Sequence, residues 1–144
     1  MARLSDIPNE SQREMCGNVC LSACTLAINA ALAATFKTTG TTVYTVDGYF
    51  KTNTALAAQA FTAGHTGLAV GQTGFYVVAV DASGTVRTFE GIGAIPDLDN
   101  GFTAIGFIKV VATSAAFVPG TTALDNASLA FTFKDVMVLP SVAP

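Results

Sequence analysis

Short apolar runs separated by turn residues make up most of the chain from residue 42 onward. They are rich in β-branched and aromatic residues, which is typical of β-strands; the clearest are Thr42–Val46, Gly74–Val80, Phe107–Val111 and Phe131–Leu139. Gly74–Val80 is apolar at consecutive positions, so we expect a central strand that is buried on both faces. The pattern predicts an all-β fold, either an antiparallel β-sandwich or a small barrel.

Glycine, proline and aspartate mark the turns between these runs. Asp47-Gly48 fits a type I′ hairpin turn, since both residues accept positive φ. Ala82-Ser83-Gly84 is expected to return the chain into a strand over Thr85–Glu90. Pro119-Gly120 begins a shaped loop, because Pro119 fixes its own φ and Gly120 accepts a positive one. The predicted strands are therefore joined mainly as hairpins. The strands that contain Phe107–Val111 and Phe131–Leu139 are expected to extend over Thr103–Thr113 and Ala130–Leu139.

The first 24 residues lack this strand pattern. Glu10–Ala23 fits either a short helix, with Asn9 or Ser11 as its N-cap, or an extended arm. The sequence thus predicts an N-terminal arm or short helix over residues 1–24 and one β-domain over residues 25–144.

Met15–Phe36 carries no charge and is long enough to span a bilayer. Its polar residues and many alanines make insertion marginal. Ala31-Leu32-Ala33 matches a signal-peptide cleavage pattern, but acidic residues precede it where a basic region is needed. From Leu26 to Phe36, apolar residues instead alternate with period two. We therefore expect a half-buried strand and no membrane partner.

Charge is scarce along the chain. Charged residues form 12% of it, against about a quarter in typical globular domains, and 51% of residues are hydrophobic. So few charges suggest that part of the outer surface is buried against other subunits. A net charge of −3, without any cluster of Lys and Arg, argues against a nucleic-acid partner.

The cysteines Cys16, Cys20 and Cys24 share one short segment. Their spacing would place them on one side of a helix, which raises a metal-site interpretation. Thiolate sites more often use closer pairs, and no ligand-rich segment follows. We interpret the three residues as small buried apolar side chains.

Residues able to do chemistry do not form a recognisable motif. His65, the only histidine, lies between glycines and lacks an identifiable nucleophile or orienting carboxylate, so a surface or interface position is expected. Asp97–Gly101 resembles half of a calcium loop, but Gly101 stands where an oxygen ligand is needed, which favours a polar turn. Nothing marks Glu90 or Asp135 as part of a catalytic pair. The sequence predicts no enzyme, no metal and no cofactor.

Several segments resemble small structural virion proteins of tailed bacteriophages. The resemblance covers residues 25–144 in order and excludes the cysteine-containing start. Its matching segments are Val43–Gly48, Phe75–Asp81, Ala104–Val110, Phe117–Asp125 and Asp135–Pro140.

This resemblance implies a capsid decoration, or cement, protein. Such a protein would be made in the host bacterial cytoplasm and would bind the exterior of the virion as a homotrimer. Its partner would be the major capsid protein, whose capsomers it would tie together. Residues 1–24 are outside the resemblance, and we separately expect them to dock on the shell. The alternative is a head or tail fibre, or a host-recognition module that binds a cell-surface glycan. A fibre usually has a repetitive or coiled-coil shaft, which this sequence lacks.

Apolar loop and edge positions are the expected oligomer contacts. We assign this role to Phe61, Leu68, Phe102 and Phe117.

Overall fold

The computed structural model describes residues 17–136, and every strand pair within them is antiparallel. These residues contain no helix, so the predicted all-β class is confirmed. The strands form two hairpins, β1-β2 and β3-β4, and a four-stranded sheet in the order β6-β5-β7-β8. Their bounds are β1 Leu26–Ile28, β2 Phe36–Thr38, β3 Thr42–Val46, β4 Tyr49–Asn53, β5 Thr73–Asp81, β6 Val86–Ile92, β7 Phe102–Val111 and β8 Ala130–Asp135.

The central strand β5 is buried on both faces, as its sequence predicts. Tyr76, Val78 and Val80 point into the main core, which the two hairpins also fill. Phe75 and Val77 point to the other face, where the segment between β6 and β7 covers them. Because successive side chains of a strand alternate between faces, an unbroken apolar run fits only this double burial.

The last strand follows its prediction only in part. Phe131 and Phe133 of β8 lie on one face and pack against the main core. The strand ends at Asp135, and the predicted continuation through Met137 and Leu139 lies outside the described residues.

The β3-β4 hairpin has the predicted two-residue turn. Val46 pairs with Tyr49, and both Asp47 and Gly48 adopt positive φ, 50° and 80°. This is the geometry that a type I′ turn requires, because its twist matches that of the flanking strands.

The single strand predicted over Leu26–Phe36 is wrong. The chain instead forms β1, reverses through residues 29–35, and returns as β2, with Ile28 opposite Phe36. Leu32 adopts a positive φ of 59° and is 81% exposed. Two of the six alternating apolar positions, Ala30 and Ala34, are alanines, whose burial stabilises a strand only weakly. Among residues 17–136 there is no helix of the length and apolarity needed to cross a membrane.

Residues 17–24 are extended and run alongside β3. Leu21 N donates to Val43 O at 2.7 Å, Thr45 N donates to Val19 O at 2.8 Å, and Cys20 pairs with Tyr44. Of the two alternatives for Glu10–Ala23, the described part therefore takes the extended one; Glu10–Cys16 lies outside the described residues. Residues 17–24 pack as part of the β-body and do not form a separate arm.

Candidate interaction surface

His65 fastens the loop before β5 to strand β6. Its Nε2 lies 2.8 Å from Thr88 Oγ1, and its ring packs 5.6 Å from that of Tyr76. Burial lowers the pKa of His65, although the nearby Glu90 carboxylate acts in the opposite direction. An imidazole beside a hydroxyl is the arrangement of an activated nucleophile. Thr88, however, is only 2% exposed, and its Oγ1 also accepts a hydrogen bond from Thr62 N, so the hydroxyl is buried and serves to hold the loop.

Glu90 holds the same loop by its backbone. One carboxylate oxygen accepts a hydrogen bond from Thr66 N at 2.9 Å, and the other accepts one from Gly67 N at 3.1 Å. Burial raises the pKa of the neighbouring Tyr76 hydroxyl, and the Glu90 charge adds to this rise. Both Glu90 oxygens thus have a structural role in fixing the loop.

Asp135 joins the last described strand to the first residues of the β-body. Its Oδ1 accepts hydrogen bonds from Leu26 N at 2.8 Å and from Cys24 Sγ at 3.1 Å. Burial, followed by the Asp135 carboxylate, raises the pKa of the Cys24 thiol. Cys20 and Cys24 are 1% and 0% exposed, which confirms their predicted burial; Cys16 lies outside the described residues.

Asp97–Gly101 forms the polar turn before β7. Asp99 pairs with Arg87 at 3.4 Å, with both side chains half exposed, so the pair adds little stability. The Arg87 guanidinium also lies 5.7 Å from the ring centroids of Phe89 and Phe102. No group of His, Cys, Asp and Glu side chains suited to a metal ion occurs within residues 17–136.

Three of the four predicted contact residues lie inside the monomer. Phe61, Leu68 and Phe117 are 7%, 3% and 1% exposed; the rings of Phe61 and Phe117 are 5.9 Å apart, and Leu68 pairs with Phe117. Phe102 lies apart from them, half-buried against Phe89 at the start of β7. Subunit contact by these residues stays a prediction, and the first three are already occupied by core packing.

Other apolar side chains, which the sequence analysis did not single out, are exposed instead. Six of them lie at turns, at a strand end or on the β3-β4 hairpin, and Leu21 lies in the extended segment before β1; the set is Leu21, Leu32, Tyr49, Phe50, Val70, Ile92 and Val118. Ile92 and Val118 line one groove, and exposed apolar side chains that lie together in this way are typical of interaction surfaces. The exposure of Leu32 could not be predicted, because nothing in the sequence signals that a leucine will adopt a positive φ.

An uncharged groove lies between the loop before β5 and the loop after β7. Its volume is about 380 Å³, and Leu68, Ile92, Phe117 and Val118 are among its lining residues. We call it the apolar groove. Val118 begins a turn closed by a hydrogen bond from Thr121 N to Val118 O, and Gly120 in this turn has a φ of 78°. The shaped loop predicted at Pro119-Gly120 is therefore confirmed.

A second cleft, more polar, lies at the tip of the β3-β4 hairpin. It has a volume of about 520 Å³, and Asn18, Asp47, Tyr49 and Lys51 line it with Gly17, Val46 and Ala82. Asn18 braces the hairpin, because its Oδ1 accepts a hydrogen bond from Asp47 N at 2.7 Å and its Nδ2 donates to Phe102 O at 3.1 Å. The cleft combines an aromatic ring with polar groups of both charges.

A partner at this surface would meet three features, namely the exposed apolar side chains, the apolar groove and the hairpin cleft. Comparison with protein-family models, with curated proteins and with solved structures finds no match to this chain.

Proposed function

We propose that this chain is a bacteriophage capsid decoration protein, which binds the outside of the shell as a homotrimer and stabilises contacts between capsomers of the major capsid protein. The observation that carries the proposal is the set of large apolar side chains exposed at turns, at a strand end and on the β3-β4 hairpin of an antiparallel β-body. The resemblance of residues 25–144 to small phage virion proteins supports it further.

Rigid turns are suited to binding the outside of a capsid shell. A surface that is already ordered loses little conformational entropy on binding, so more of the contact energy appears as affinity. Phe50, for example, is 61% exposed on a short hairpin whose strands are fully paired. Each bound copy lowers the free energy of the closed shell by mass action, and many copies together strengthen it.

The copy number in purified virions tests the proposal. Quantification of this protein against the major capsid protein is expected to give a near one-to-one ratio, or another ratio that corresponds to hundreds of copies. A few copies to a few dozen would place the protein at a vertex, tail or fibre. Absence from the particle would reject a virion role.

Phe50 offers a residue-level prediction. The Phe50→Asp variant is expected to bind capsids at least about 30-fold more weakly, since exposed aromatics that become buried contribute about 2 kcal/mol or more to an interface. Sedimentation of purified shells with the added protein measures this loss. Thr132→Asp adds the same charge at an exposed position of β8 and is expected to bind normally. Equal binding by both variants would exclude the hairpin as the shell contact.

The hairpin cleft favours a second candidate, a host-recognition module that binds a glycan. Tyr49 is 53% exposed and lies beside Asn18, Asp47 and Lys51. An aromatic face with nearby hydrogen-bonding groups suits a sugar ring, whose surface is apolar on one side and polar at its edge. A low copy number together with binding to host cells would select this candidate over the first.

A further inference from the structure

The turn between β1 and β2 presents an apolar tip, which we define as Ala30–Ala33. Ala30, Ala31 and Leu32 are all exposed, and Leu32, at 81%, is the most exposed of the large apolar side chains in the described part of the chain. The tip carries no charge. A leucine side chain that is exposed to water contributes no burial free energy to folding, and it is accessible to a partner.

The rest of the molecule fixes this tip in place. Leu32 N donates to Asp125 Oδ2 at 2.9 Å, Leu124 N donates to Ala33 O at 2.9 Å, and Ala33 N donates to Ala30 O at 3.1 Å. Leu124 is 2% exposed and so anchors the contact in the core.

Leu32 also adopts a backbone conformation that disfavours its side chain. Its φ of 59° is in the left-handed region, which costs a leucine about 1–2 kcal/mol. Residues held in such conformations by their surroundings are concentrated at binding sites. Asparagine would suit this backbone better than leucine does, so the apolar side chain itself needs an explanation.

The apolar groove provides a matching recess on the same chain. It is uncharged, and the exposed Ile92 and Val118 lie on its lining. Leu32 does not occupy the groove of its own copy, because Leu32 is 81% exposed. The loop from Val118 to Asp125 contributes to both the groove and the tip. Val118 lines the groove, and Leu124 and Asp125 hold the tip.

We propose that the apolar tip of one copy binds in the apolar groove of a second copy. The contact is head-to-tail, because it joins two different surfaces of the same chain, and such contacts form a ring when the rotation closes. The residues of the tip and of the groove lining are uncharged; the carboxylates that adjoin them, Asp125 at the tip and Glu90 at the groove, already accept hydrogen bonds from backbone N–H groups. One such joint is small beside the roughly 1,200–2,000 Å² of a stable interface, which favours a ring in which every copy makes two joints.

This inference deepens the homotrimer of the proposed function, but it is tested on the purified protein without capsids, so its failure and a failure of capsid binding are distinguishable. Sedimentation velocity over a range of concentrations is expected to show a wild-type oligomer. Leu32→Asn, which keeps the backbone conformation but removes the apolar side chain, and Val118→Asp, which charges the groove, are each expected to weaken association at least about tenfold. Thr132→Asp serves as the matched control and should associate like the wild type. Circular dichroism checks that each variant is folded.

A mixture of the two variants separates this contact from others. Leu32→Asn retains an intact groove, and Val118→Asp retains an intact tip, so an equimolar mixture is expected to form single-joint pairs at high protein concentration, weaker than the wild-type oligomer, at concentrations where neither variant alone associates. A monomeric wild type, an oligomer that persists in Leu32→Asn, or a mixture that associates no more than the separate variants at the highest concentration would each overturn the proposal.

Discussion

Deletion of residues 1–24 is expected to unfold the β-domain or to leave it only marginally stable. The deletion removes Cys20 and Cys24 from the main core and breaks the hydrogen bonds that join residues 17–21 to β3 and its turn. Each lost hydrogen bond costs about 0.5–1.5 kcal/mol, and the emptied core positions add to this. The sum is comparable with the entire stability of a small domain, about 5–15 kcal/mol. Urea denaturation followed by circular dichroism measures the effect.

Deletion of residues 1–16 is the matched control. It leaves every contact of Gly17–Cys24 with β3 in place, so the shortened protein is expected to retain most of its stability. If residues 1–16 dock on the shell, this variant will also bind capsids more weakly. A folded, stable protein after deletion of all 24 residues would contradict the role of residues 17–24 in the core, and unchanged capsid occupancy after deletion of residues 1–16 would refute docking by that segment.

Replacement of Phe117 by alanine is expected to lower the free energy of unfolding by about 3–5 kcal/mol, the usual range for a buried phenylalanine. Phe117 is 1% exposed, and its ring packs against three others, at centroid distances of 5.9 Å from Phe61, 5.4 Å from Tyr76 and 5.8 Å from Phe131. The substitution leaves a cavity that this cluster cannot fill without rearrangement. Chemical denaturation at equilibrium reports the loss.

Phe50→Ala makes the matched comparison, because it removes the same ring from a position that is 61% exposed. Its free energy of unfolding is expected to stay within about 0.5 kcal/mol of the wild type. Comparison of Phe117→Ala with Phe50→Ala also distinguishes a core residue from an interface residue. Were Phe117→Ala to keep full stability and lose only self-association, Phe117 would be an interface residue, as its sequence position suggested.

The sequence was sufficient to predict most strands because their signals are local. Gly74–Val80 is apolar at every position after its glycine, and only a strand covered on both faces buries such a run. Asp47-Gly48 specifies its turn by the φ values that these two residues accept. Both features depend on neighbouring residues alone, so no knowledge of the distant chain was needed.

Which side chains are exposed depends on contacts between residues that are far apart in the sequence, so the surface could not be predicted in the same way. Leu32 continues an apolar alternation, and it becomes exposed only because Asp125 and Leu124 hold the turn. Phe61 and Phe117 lie outside the strands, and they become core residues because their loops fold over β5. Nothing in the sequence marked Glu90 or Asp135 for a role, because their oxygens bind backbone groups and a thiol that lie far away in the sequence.

The hydrogen bond from Leu26 N to Asp135 Oδ1 spans 109 positions of the chain, and this has a consequence for the order of folding. During synthesis, the first strand emerges from the ribosome long before the carboxylate that fixes it. Contacts between distant segments form late, because the intervening chain must first be ordered, and they slow folding as a whole. The nascent chain must therefore keep its apolar early segments in solution until β8 has been made. The β-body is completed only when β8 is available to meet β1.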